Sequence, residues 1–164
     1  MITKEIIRVN KKMTESPREK EIAKLEELTD LCKLNGWNEK TFLNKLSIGL
    51  RRWEEKAKEI FRTRKQPKLQ VGIGCTINLF SDRRAATITR IISGKEIAIK
   101  ENKTKCIDYY GSNYKILDEL DNIQDEEIFT LRKGGTWVEK GQPKKQGSVT
   151  LTVGYRHHYI DPSF

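Results

Sequence analysis

Apolar positions in the first third of the chain recur at helical spacing. Ile22, Leu25, Leu28 and Cys32 mark one amphipathic helix. Ser16 as N-cap, Pro17 at the first helical position and Glu19 completing a capping box start it, and Asn35-Gly36 stops it, giving a helix over about 17–34. Asn38 caps a second helix whose stripe is Phe42, Leu46, Leu50, Trp53, Ala57, Ile60 and Phe61, ending before Pro67. Joined by Gly36-Trp37, the two form an antiparallel hairpin, and each apolar face needs the rest of the chain or another subunit to cover it.

After Pro67 the period shortens. LQVGIGCTINLF, AATITRII, EIAIK, KCIDYY, EEIFTLRK, TWVEK and SVTLTVGY are short β-branched or aromatic runs and read as strands. Their connections are too short for crossover helices, so the pairing should be mostly antiparallel, in a meander. Ser93-Gly94-Lys95 and Lys133-Gly134-Gly135 are the clearest hairpin turns, through the positive φ that glycine admits. LDELDNIQDEE (117–127) reads as a surface loop with at most one helical turn. The fold class expected is α+β: a basic helical arm over 1–68 and a bent antiparallel sheet or small barrel over 69–164.

Charge sharpens this division. Residues 1–69 hold 18 Lys/Arg against 11 Asp/Glu and residues 70–164 hold 14 against 12, so the arm carries most of the +9 excess. The stretch 51–68 ends in RTRKQPK with no acid, which suits phosphate or an acidic partner, or simply opposes the helix dipole. At 36% hydrophobic and 34% charged residues, with no apolar run near the roughly 20 residues of a bilayer span, a membrane protein is not expected. MITKEIIRVNKK has no hydrophobic core of a secretory signal, so the expected location is the cytoplasm. Cys32, Cys75 and Cys106 are odd in number and far apart, and read as buried thiols.

Motifs for chemistry are sparse. Gly72-Ile73-Gly74 lacks the third glycine and the helix of a dinucleotide fingerprint, and GxxxxGK[ST], HExxH, CxxC and GxSxG do not occur. His157, His158 and Asp161 could ligate a metal, but adjacent strand residues point to opposite faces. The expectation is a binding protein without catalytic activity or cofactor. Two clusters suit an anionic, aromatic ligand. One is Phe80-Ser81-Asp82-Arg83-Arg84, with Phe80, Arg83 and Arg84 as candidates. The other is the ending from Gly154, with Tyr155, Arg156, His158 and Tyr159; Arg132, before the Gly-Gly turn, is a further candidate. The competing reading is that Asp82 and Arg83 pin a turn while Tyr159 and Phe164 close the core.

SDRRAATITRII, FTLRKGGTWVEKG and GYRHHYIDPSF together resemble a family of small phage proteins, the Thoeris anti-defence sponges, which sequester cyclic ADP-ribose-type immune signals. The resemblance covers about residues 70–164. It implies a helical anchor on a β core, homodimers or higher oligomers, and action in an infected bacterial host; some members bind cyclic oligonucleotides. It places Asp82, Arg83 and Thr87 in the family's turn and Arg156 and Tyr159 in its ending. The function expected is sequestration of a cyclic nucleotide-derived signal without degrading it, with self-association through the helical arm. The alternative is a nucleic-acid-binding β module, which should carry its basic residues along the β face.

Overall fold

The computed structural model describes residues 17–111 and 113–163. Among the described residues four helices precede seven strands: α1 Glu19–Leu34, α2 Glu39–Asn44, α3 Ile48–Arg51 and α4 Glu54–Thr63, then β1 Gly74–Asn78, β2 Arg83–Ser93, β3 Glu96–Cys106, β4 Tyr114–Leu120, β5 Glu127–Arg132, β6 Thr136–Glu139 and β7 Thr150–Val153. Strands β1, β2, β3, β5, β6 and β7 close into an antiparallel barrel, and β4 pairs only with the far half of β3. The α+β class and the small barrel therefore stand. Register slips in the β2–β3 ladder, between Ile88 and Arg90 and between Ile91 and Ser93, give the bends that closure requires.

Helix α1 starts two residues later than its sequence suggests. Arg18 is the N-cap, and its N–H donates to Glu21 Oε2 at 2.8 Å, so Glu21 and not Glu19 closes the turn and Pro17 lies outside the helix. Ser16 is outside the described residues. At the other end Asn35-Gly36 does stop α1, with Gly36 at φ +66°. Asn38 caps α2 as expected, its Oδ1 accepting from Thr41 N–H at 2.9 Å.

The long second helix is three helices. Ser47 leaves helical geometry at ψ 159° and restarts the chain as α3, with Gly49 weakening helix propensity there, and Trp53 makes the next break. These bends fold the apolar stripe onto α1. Phe42, Leu46, Ala57 and Ile60 are buried with Leu25 and Cys32, and Leu50, Trp53 and Phe61 pack around them. The rings of Phe42 and Phe61 stack at 4.9 Å. The stripe invoked for self-association is thus covered within the chain, and that argument for an oligomer lapses.

Other expectations also change. KCIDYY is the end of β3 followed by a turn, LDELDNIQDEE contains the end of β4, and no helical turn forms there. The Lys133-Gly134-Gly135 turn uses positive φ at both glycines, whereas Gly94 turns the β2–β3 hairpin without it. Cys32 and Cys75 are buried thiols, pushed up by burial to about 11 and about 12, but Cys106 is exposed.

The barrel core is Cys75, Ile77, Ala86, Ile88, Ile97, Ile99, Phe129, Trp137, Leu151 and Val153. One end of it receives Leu34 of α1, and Trp137 Nε1 donates to the Leu34 carbonyl at 3.1 Å. Asn35 completes the junction: its amide exchanges two 2.8 Å hydrogen bonds with the backbone N–H and C=O of Val153. By register Val153 lies opposite Gly135, where β6 has already turned away, so the Asn35 side chain substitutes for a missing strand partner.

Candidate functional site

The two sequence clusters meet although some 75 residues separate them. The β1–β2 turn and the C-terminal segment join through an isolated bridge, Arg83 N–H donating to the Tyr159 carbonyl at 2.7 Å and Tyr159 N–H to the Arg83 carbonyl at 2.8 Å. Asp161 N–H donates to Asp82 Oδ1 at 3.0 Å, and Thr76 Oγ1 both donates to Tyr155 O and accepts from His157 N–H, each at 3.0 Å. The tail is therefore laid along β1 and β2, with β4 on its other side.

Folding spends most of the candidate guanidiniums on the scaffold. Arg83 donates to the carbonyls of Leu79 and Asp82, pinning the turn. Arg84 pairs with Glu101 at 3.1 Å, and Arg156 with the exposed Asp118 of β4 at 3.0 Å. Arg156 also lies across Gly74, where a Cβ would come within 2.7 Å of its Cγ. Arg132 sits apart in the β5–β6 hairpin, donating to Gln142 O at 2.9 Å. His158 packs edge-on against Tyr114 at 4.7 Å, its Nδ1 buried without a partner among the described residues. Burial lowers its pKa; Glu101 opposes that and Arg84 reinforces it. Phe80 is 90% exposed. Arg83, Arg84, Arg156, His158 and Tyr159 are thus brought to one side of the barrel, and Arg132 is not; Phe164 lies outside the described residues. No group of three or more His, Cys, Asp or Glu that could hold a metal occurs among the described residues.

The end of the barrel away from Leu34 is acidic instead. Register places Glu101, Glu127 and Glu139 on the core-facing side of β3, β5 and β6, with Arg84 between β1 and β3. Burial raises the Glu127 pKa, and the charges of Glu101 and Glu139 add to it while Arg84 opposes. A carboxyl raised in the folded state contributes stability below its ordinary range, and loses it as pH rises through the raised value. Glu127→Gln should therefore stabilise the protein at pH 8, a gain that shrinks as pH falls and the native carboxyl takes up its proton. Thermal melts across pH test this, and an equal gain at both ends would refute it.

A ligand-sized space does exist where the helices meet the barrel. A groove of about 620 Å³ runs between α1, the Ser47–Leu50 segment and the end of β7, within the range of small-molecule sites. Leu28, Leu31, Leu34 and Leu50 make its apolar floor, and Tyr155, 46% exposed, makes one wall. Gly154 admits the Leu31 side chain, whose Cδ1 would lie 2.7 Å from a Cβ there. Lys24 and Lys45 stand at the rim, the latter 4.3 Å over the Trp37 ring. Neither is in a salt bridge among the described residues, while Arg52, Arg62 and Arg64 of the same helical unit each are. Asp30, also at the rim, is held bidentately by Arg64.

Of the sequence candidates only Tyr155 lines this groove. The rest of it was missed, although α1 carried a signal. Leu31 and Leu34 recur three apart, off the stripe of Leu25 and Cys32, as expected of a helix with two partners.

Comparison with protein-family models, with curated proteins and with solved structures finds no match to this chain, so the likeness to anti-defence sponges rests on its three motifs. Among the described residues, no helix is long and apolar enough to cross a membrane.

Proposed function

We propose that this protein is a binding protein which holds a small, phosphate-bearing aromatic ligand intact in the groove between its helices and its barrel. The observation that carries the reading is the pairing of an apolar, tyrosine-walled groove with two lysines that are in no salt bridge among the described residues, beside Glu27 and the Arg64-bound Asp30. Tyr155 offers a ring face to a base, the leucines take the apolar edge, and Lys24 and Lys45 reach phosphate. The likeness to the sponges supports a cyclic nucleotide-derived signal of the cyclic ADP-ribose type, which would make the role one of anti-defence in an infected bacterial cell. Sequestration needs tight stoichiometric binding and no chemical step.

The site moves from the arginines to the lysines. Calorimetry with cyclic ADP-ribose should give a sub-micromolar Kd, and Lys24→Ala with Lys45→Ala should weaken it about 10- to 150-fold for each charge-assisted hydrogen bond removed. Tyr155→Ala should also weaken it, while Arg132→Ala, remote from the groove, should not. Ligand recovered unchanged after heating would fit sequestration. Absence of binding heat for cyclic ADP-ribose, ADP-ribose and a cyclic dinucleotide alike would refute the reading.

A further inference from the structure

The outer part of β3 and β4 forms a two-stranded ribbon beyond the barrel wall, and its tip is unusually exposed. Tyr109 and Tyr110 are 96% and 83% exposed, and Ile107 beside them is 63% exposed. The two rings meet edge to face at 5.7 Å, which occupies one of their four faces and leaves the other three largely open to solvent. Just behind them Lys105 and Lys115 stand directly opposite across the ladder. Like charges in that position destabilise a strand pair. Lys103 has Glu119 at 3.0 Å, but Lys105 and Lys115 are both exposed and, among the described residues, in no salt bridge. Alternation puts Tyr114 on the other face, where it packs against His158, so the lysine face points away from the C-terminal segment.

We infer that this ribbon tip binds single-stranded nucleic acid, Lys105 and Lys115 taking backbone phosphate and Tyr109 and Tyr110 stacking on unpaired bases. Each half of the arrangement asks for such a partner. Two unneutralised cations at strand spacing call for phosphates, and exposed tyrosine faces on a turn suit bases free of a duplex stack. An acidic polypeptide would satisfy the lysines but not the rings, and a duplex keeps its bases stacked in pairs. The site is separate from the groove and does not depend on it.

The test is fluorescence anisotropy of a labelled thymidine oligomer of about 20 nucleotides with the full chain, from low to moderate salt. Binding should weaken with salt, and Tyr109→Ala with Tyr110→Ala should lower affinity about 5- to 150-fold per base, with an unchanged melting temperature. Lys105→Glu is the sharper variant. It creates an opposite-charge pair with Lys115, so it should hold or raise the melting temperature while flattening the log–log salt slope by about 0.7 or more. Lys24→Ala with Lys45→Ala in the groove should leave the oligomer's affinity unchanged. The inference is overturned by any of four results: no binding at about 50 mM salt, full affinity in the double tyrosine variant, equal affinity for duplex, or equal competition by polyglutamate.

Discussion

Gly135→Ala is expected to lower stability by more than about 4 kcal/mol, or to prevent folding. Gly135 adopts φ +79°, where a side chain costs roughly 1–2 kcal/mol. Steric overlap costs more: a Cβ would come 2.0 Å from the Gly36 carbonyl oxygen, 2.5 Å from its carbon and 3.1 Å from Trp37 N. All three are backbone atoms of the turn that ends α1, so no rotamer change relieves them. Gly134→Ala isolates the cost of the backbone angle, because φ there is +89° and only the flexible Lys144 ammonium lies within reach, at 3.4 Å. Calorimetric melts should shift by about 2–8 °C for Gly134→Ala and by more than about 10 °C for Gly135→Ala. Equal shifts would mean that the helices and the barrel do not approach each other here.

The approach of Gly135 to Gly36 marks what the sequence could and could not disclose. Alternation in AATITRII, EIAIK and EEIFTLRK located β2, β3 and β5, because each buries one face in a core that every neighbour shares. Strand β4 escaped because it pairs with β3 alone and leaves Lys115, Asp118 and Glu119 exposed, so no clean apolar face was needed. The helical stripe was legible as spacing. Its breaks at Ser47 and Trp53 were not, since each preserves the apolar period on either side.

The candidate site shows the same limit in its charges. Composition flagged the arginines near residues 83 and 156 as cations available to a ligand, yet their partners come from elsewhere in the chain. Glu101 is 17 positions from Arg84, and Asp118 is 38 positions from Arg156. Whether a basic residue remains free is decided by tertiary pairing, and local sequence does not carry it. Among the lysines in no salt bridge, Lys24 and Lys45 at the groove and Lys105 and Lys115 on the ribbon are unremarkable in their own segments. The groove itself needs α1, Ser47 and Tyr155 together, an arrangement that exists only once Asn35 has docked the helices.

Asn35→Ala should therefore act on the fold and on the groove at once. Asn35 is 1% exposed; its Nδ2 donates to Val153 O and Leu31 O, and its Oδ1 accepts from Val153 N–H, all at 2.8 Å. Alanine leaves both Val153 backbone groups buried without these partners, at about 1–3 kcal/mol each. The expected loss of about 2–5 kcal/mol corresponds to roughly 5–15 °C in melting temperature. Asn35→Asp separates hydrogen bonding from packing. It keeps the acceptor for Val153 N–H but points a carboxylate at the Val153 and Leu31 carbonyls, which raises the aspartate's folded pKa above its ordinary value. Its deficit relative to the unmodified protein should shrink as pH falls and the new carboxyl gains a proton to donate. Because Val153 leads directly into Gly154 and Tyr155, Asn35→Ala should also weaken binding of cyclic ADP-ribose at temperatures where the variant is still folded. A melting temperature within about 2 °C of the unmodified protein, or an Asn35→Asp deficit that does not change with pH, would show that the Val153 backbone finds its partners elsewhere.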